Sequence, residues 1–192
     1  MDTRVEVIAA MPSGIILTRD PLQMLKVDAI GYGAKDTGEM GGGAAAAVLA
    51  AAGPEILTEL RAKLRGSPRR VGDVEITDSF KLQATGVRWV LHIISIIKHT
   101  PAGAYCPQPE RLRDGVCAAL SAAATAGARS VALSALGTGE GRVPPQDAAR
   151  YMLDGVHAFQ ISKPSRLAIT FSLPSFRDYE AFSSVMQSRS RY

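Results

Sequence analysis

The chain has 192 residues, a length that one hydrophobic core ordinarily serves, and its 46% hydrophobic and 21% charged residues argue against a disordered chain. Its 22 Lys and Arg against 18 Asp and Glu leave a formal charge of +4, too small and too scattered to argue by itself for nucleic acid. The longest nearly continuous apolar run, residues 43–53, falls well short of the ~20 residues that span a bilayer, so no membrane partner is expected.

Val5 to Ala10 and Ile15 to Leu17 read as short strands, broken by the turn sequence Met11-Pro12-Ser13-Gly14. Val27 to Tyr32 reads as a buried strand. A polar loop follows, and then Gly41, Gly42 and Gly43 open an Ala-rich helical pattern from Ala44 to Leu64, which Gly53-Pro54 should divide in two. Val74 to Ile76 is a short strand candidate. Trp89 to Ile97 is nearly all apolar, as in a strand covered on both faces, and it makes His92 a hydrogen-bonded core residue rather than a ligand. Leu112, Val116, Leu120 and Ala124 mark an amphipathic helix that ends near Gly127. Ser130 to Ala135 is the next strand, and Gly137-Thr138-Gly139-Glu140-Gly141 follows it directly. Pro144-Pro145 opens a further helix, Leu167 to Ser172 is a last strand, and Tyr179 to Met186 a last helix.

Strands and helices alternate from the middle of the chain onward, which predicts a mixed, mostly parallel sheet with helices on both faces. A single domain spanning 1–192 is expected, with its core at about 5–186 and a flexible tail at 187–192. No secretory leader pattern is found, so a cytoplasmic location is expected. Cys106 and Cys117 lack the CxxC or nearby His pair of a zinc site, and neither a metal nor a cofactor is expected. The basic stretches Arg61/Lys63/Arg65 to Arg69/Arg70 and Arg189/Arg191 have no interleaved aromatics to stack on bases, and they read as solvated surface.

The chemistry sits in the two glycine loops. Each follows a strand and precedes a helix, which in an α/β sheet places both at the carboxyl ends of strands, where ligands bind. Glycines let backbone N–H groups turn toward an anion, and a helix N-terminus adds unpaired donors and the positive end of its dipole. Two such loops, Gly41 to Gly43 and Gly137 to Gly141, could hold one ligand from both sides, a diphosphate being the natural candidate. No GxxxxGK[ST] and no N-terminal GxGxxG occur, so an ordinary nucleotide motif is excluded.

VDAI at 27–30, the glycines at 41–43, AAGPE at 51–55, GDVEIT at 72–77, GVRWVLHII at 86–94 and SVALSALGTGEGRVP at 130–144 stand in an order and spacing that resembles a macrodomain, the ADP-ribose-binding module. The resemblance covers roughly Val5 to Met186. It implies a three-layer α/β/α sandwich around about six strands, with ADP-ribose or an ADP-ribosylated protein as partner. By position it also implies a first diphosphate loop of Gly41, Gly42, Gly43 and Ala44, and a second of Gly137, Thr138, Gly139, Glu140 and Gly141. Asp20 matches the adenine-binding aspartate, and Phe176 stands as either the aromatic surface under adenine or a core residue. Asp28 reads as a turn or capping residue.

The departures matter as much. Lys35 falls where hydrolytic members resemble one another in an asparagine at the distal ribose, and Ala45 falls where they carry the catalytic aspartate. Alanine cannot orient water or take a proton, help that is worth about 10²–10⁴-fold in rate. A binder or reader of ADP-ribose is therefore the first expectation. A hydrolase of ADP-ribose derivatives using Asp36, Glu39 or Glu140 is the alternative, and poly(ADP-ribose) or RNA binding is a third reading.

Overall fold

The computed structural model describes residues 14–66, 68–98, 100–101, 103–163 and 166–189. The strand expected at Val5 to Ala10 lies outside them. In chain order the elements are β1 (Ile15–Thr18), β2 (Ala29–Lys35), α1 (Gly43–Ala52), α2 (Glu55–Leu64), β3 (Val74–Asp78), β4 (Trp89–Ile96), α3 (Leu112–Thr125), β5 (Ser130–Ser134), α4 (Pro145–Ser162), β6 (Ala168–Ser172) and α5 (Phe176–Arg189).

The strands form one sheet in the order β1-β6-β5-β2-β4-β3, all pairs parallel except the edge pair β3–β4. Each parallel pair needs a crossover, and the helices supply it on both faces. On one face α3, α4 and α5 bury Val116, Leu120, Phe159 and Phe182 against Leu133, Ile169 and Phe171. On the other, α1 and α2 bury Val48, Ile56 and Leu60 against Ile30, Val90 and Ile94. The central strands are covered on both sides, which is why Trp89 to Ile97 is nearly all apolar.

Gly53 and Pro54 separate α1 from α2 as the sequence predicts. Gly53 has a φ of +95°, a region that favours glycine, and its N–H closes the helix on Leu49 O at 2.9 Å. Two elements extend three residues beyond expectation. β2 runs on to Lys35, because Gly33, Ala34 and Lys35 keep pairing with β4. The last helix begins at Phe176 rather than Tyr179 and continues to Arg189, so 187–189 belong to it. Asp28 joins strand starts at the other end of the sheet: its carboxylate accepts from the backbone N–H groups of Arg129 at 2.7 Å and Ser130 at 3.1 Å. No described helix is long and apolar enough to cross a membrane.

Candidate functional site

Four parallel strands deliver small residues to the carboxyl edge of the sheet: Gly33 from β2, Ser95 from β4, Ser134 from β5 and Ser172 from β6. All four line a cavity of about 530 Å³, within the roughly 300–1,000 Å³ of small-molecule sites. Open backbone at strand ends is what leaves this room.

The first wall comes from the loop after β2. Gly41, Gly42, Gly43 and Ala44 line the cavity, as Ala45 and Ala47 do. Gly43 has a φ of +53°, where a side chain would be strained, and Gly42 caps α1 with no side-chain hydrogen bond. The first-turn amides of α1 have no acceptor within the helix, and the positive end of its dipole opens onto the cavity.

The loop after β5 makes a second wall with Gly137, Thr138, Gly139 and Glu140. It closes on itself: Val143 N–H donates to Gly137 O at 3.0 Å and Arg142 N–H to Gly139 O at 3.0 Å. Gly137 has a φ of +73°. Gly141 is buried and is not among the residues that line the cavity. Its Cα packs so closely that a Cβ would stand 2.6 Å from Gly137 O. The glycine therefore lets the loop close on Gly137.

Lys35 joins the two walls. Its Nζ lies 2.8 Å from Glu140 Oε2 and 3.8 Å from Glu39 Oε2, with only 14% of the side chain exposed. Glu39 is also paired with Lys98. Asp36 faces elsewhere, its Oδ1 accepting from Lys98 N–H at 3.0 Å, and it is not on the cavity wall. Among the described residues no group of three or more His, Cys, Asp or Glu could hold a metal ion.

At the β1 edge, Asp20 is exposed beside Pro21 and Leu22, which line the cavity. Thr18 Oγ1 donates to Asp20 Oδ2 at 2.9 Å, and Ser172 Oγ donates to Asp20 O at 2.7 Å, so both strands fix this residue, which is not itself among those lining the cavity. Phe176 does not line the cavity. As the first residue of α5 it is 63% exposed, with the Arg19 guanidinium 5.9 Å from its ring.

Sequence reasoning missed Asp178 and the three serines. Asp178 lines the cavity and accepts from Thr138 Oγ1 at 3.2 Å, tying α5 to the second loop. Burial pushes its carboxyl above the usual range, against the Thr138 hydrogen bond and the nearby Arg177. One signal was available: a serine closes each of the apolar runs that form β5 and β6, and the run that forms β4 ends at Ser95-Ile96.

Comparison with known proteins agrees with this picture. The Macro domain family model matches residues 33–152. The chain is 33% identical over 178 residues to a macro domain-containing protein of Streptomyces coelicolor, covering 88% of this chain and 96% of that relative. It is 31% identical over 163 residues to an uncharacterized protein of Mycobacterium tuberculosis; the match covers 85% of this chain, which spans only 42% of that relative's length. Its fold is similar to the Trypanosoma brucei macrodomain solved in complex with ADP-ribose, with a TM-score of 0.73 and 26% identity over 90% of this chain and 69% of that one.

Proposed function

Because the chain belongs to the macro domain family, we propose that it binds ADP-ribose, free or attached to a protein, in the cavity between its two glycine loops, and that it acts as a reader without turnover. The observation that carries the reading is the pairing of these loops. Glycine backbone from both lines a single cavity of about 530 Å³, so one diphosphate can be reached by amides from two sides. A relative that binds ADP-ribose with the same fold supports the ligand class.

The absence of turnover rests on which groups stand near Lys35. Ala45 cannot serve as a base. Glu140 is held by Lys35, and Glu39 by Lys98, so both carboxylates on this part of the wall are engaged in ion pairs. Asp36 is off the wall altogether. The Lys35–Glu140 pair instead gives the cavity a polar end that meets the part of the ligand beyond the diphosphate.

Long incubation of the protein with an ADP-ribosylated peptide separates binding from hydrolysis. The expected result is a complex from which intact adduct is recovered. Release of free ADP-ribose in proportion to enzyme concentration would contradict the reader assignment while leaving the ligand class in place.

A further inference from the structure

Ser95 is a fully buried serine whose Oγ has no hydrogen-bond partner among the described residues. Buried hydroxyls nearly always find one, so an orphan at a cavity wall calls for a reason. Three features of the chain put it there. The pairing of β2 with β4 matches Ala34 to Ile94 and then Lys35 to Ile96, which leaves Ser95 as the extra residue of a β-bulge. Bulges break the alternation of a strand and re-aim a side chain, often beside a site. The neighbouring strand also makes room: a Cβ on Gly33 would stand 2.5 Å from Ser95 Oγ, so only glycine there admits the hydroxyl. That same Cβ would lie 3.5 Å from Gly137 N, so β2, β4 and the second glycine loop converge on this corner of the cavity.

We infer that Ser95 is a ligand-reading residue, its hydroxyl exchanging a hydrogen bond with a hydroxyl of the ribose remote from adenine. The inference rests on the ADP-ribose reading, and the order of the sheet supplies the rest. Asp20 follows β1 at one edge, the glycine loops follow β5 and β2, and β4 lies beyond them. With adenine toward Asp20 and the diphosphate between the loops, the group that reaches β4 is the distal ribose. A serine hydroxyl both donates and accepts, which matches a sugar hydroxyl of either orientation.

The test is Ser95→Ala, titrated with ADP-ribose and with ADP, which lacks the distal ribose, alongside thermal melting of the free protein. The variant melts at or above the wild-type temperature, because it removes a buried polar group that nothing satisfies. Its ADP-ribose affinity falls about 3- to 10-fold, the size of one neutral hydrogen bond, while its ADP affinity is unchanged. Gly33→Ala alone lowers both melting temperature and ADP-ribose affinity. In the Ser95→Ala background the melting defect disappears, since the added Cβ then meets only Ser95 Cβ at 3.6 Å and Gly137 N at 3.5 Å.

Unchanged ADP-ribose affinity in Ser95→Ala, equal losses for both ligands, or a lowered melting temperature would each overturn the role of Ser95 and leave the ligand class intact. Failure of the wild-type protein to bind either nucleotide would overturn both.

Discussion

At the scale of single residues, His92 shows how a polar group is made tolerable in a core. Its Nδ1 lies 2.6 Å from the Tyr32 hydroxyl and its Nε2 lies 2.8 Å from Thr77 Oγ1. Thr77 donates its own proton to Asp78 O at 3.1 Å, so it accepts from His92 Nε2–H, and Tyr32 then donates to Nδ1. This assigns the neutral imidazole with its proton on Nε2. Three strands, β2, β4 and β3, are joined by that chain. Burial first, and the charge of Lys63 second, push the His92 pKa down to about 3. The unfolded chain takes up the proton near pH 6.5, well before the folded one, so this contribution to stability is whole above pH 6.5 and drains away as pH falls from there toward 3. Denaturant unfolding between pH 7 and 4 should therefore show a slope of up to about 1.4 kcal/mol per pH unit that a His92→Gln variant lacks. Identical pH profiles for the two proteins would mean that His92 is charged or solvated in the folded state.

At the scale of elements, the two glycine loops use glycine for opposite reasons. A Cβ on Gly41 or Gly42 would meet nothing within 4 Å, so these residues border open space in the cavity wall, whereas Gly141 is needed by the loop itself. Gly141→Ala should lower the melting temperature by several degrees, because its Cβ would stand 2.6 Å from a backbone carbonyl that cannot swing aside, a strain of about 1–3 kcal/mol. Gly41→Ala should melt with the wild type. The reverse order would show that the second loop is not closed on Gly141. Much of this level was legible in the sequence. Gly53-Pro54 divided the helices, the glycines lay between strand and helix, and His92 read as core. What was not legible depends on register. Ser95 sits in a nearly all-apolar run, and only the bulge between Ile94 and Ile96, opposite β2, and the bare Cα of Gly33, 62 positions earlier in the chain, bring it to the cavity. Asp178 meets Thr138 across 40 positions, which no local pattern records. Phe176 was chosen for its aromatic ring, yet its place at the start of α5 turns it toward solvent and Arg19.

At the scale of the whole molecule, the sheet order is what makes one site out of distant segments. β5 and β2 are neighbours in space though their loops are almost a hundred residues apart in sequence, so glycines of both loops line a single cavity. On the surface, Lys63, Arg69, Arg88, Arg150 and Arg189 each pair with a nearby carboxylate. The proposed reading has ADP-ribose held between the two loops. Gly42→Val isolates that claim. Gly42 is in extended backbone, with φ of −156°, that valine adopts readily, so the fold should survive while the new side chain occupies the cavity wall. The most direct measurement is calorimetric titration of wild type and Gly42→Val with ADP-ribose, each checked by thermal melting. One molecule bound per chain in the wild type, and affinity about tenfold or more weaker in an equally stable variant, is the predicted result. Undiminished affinity in Gly42→Val would place the ligand somewhere other than between the loops.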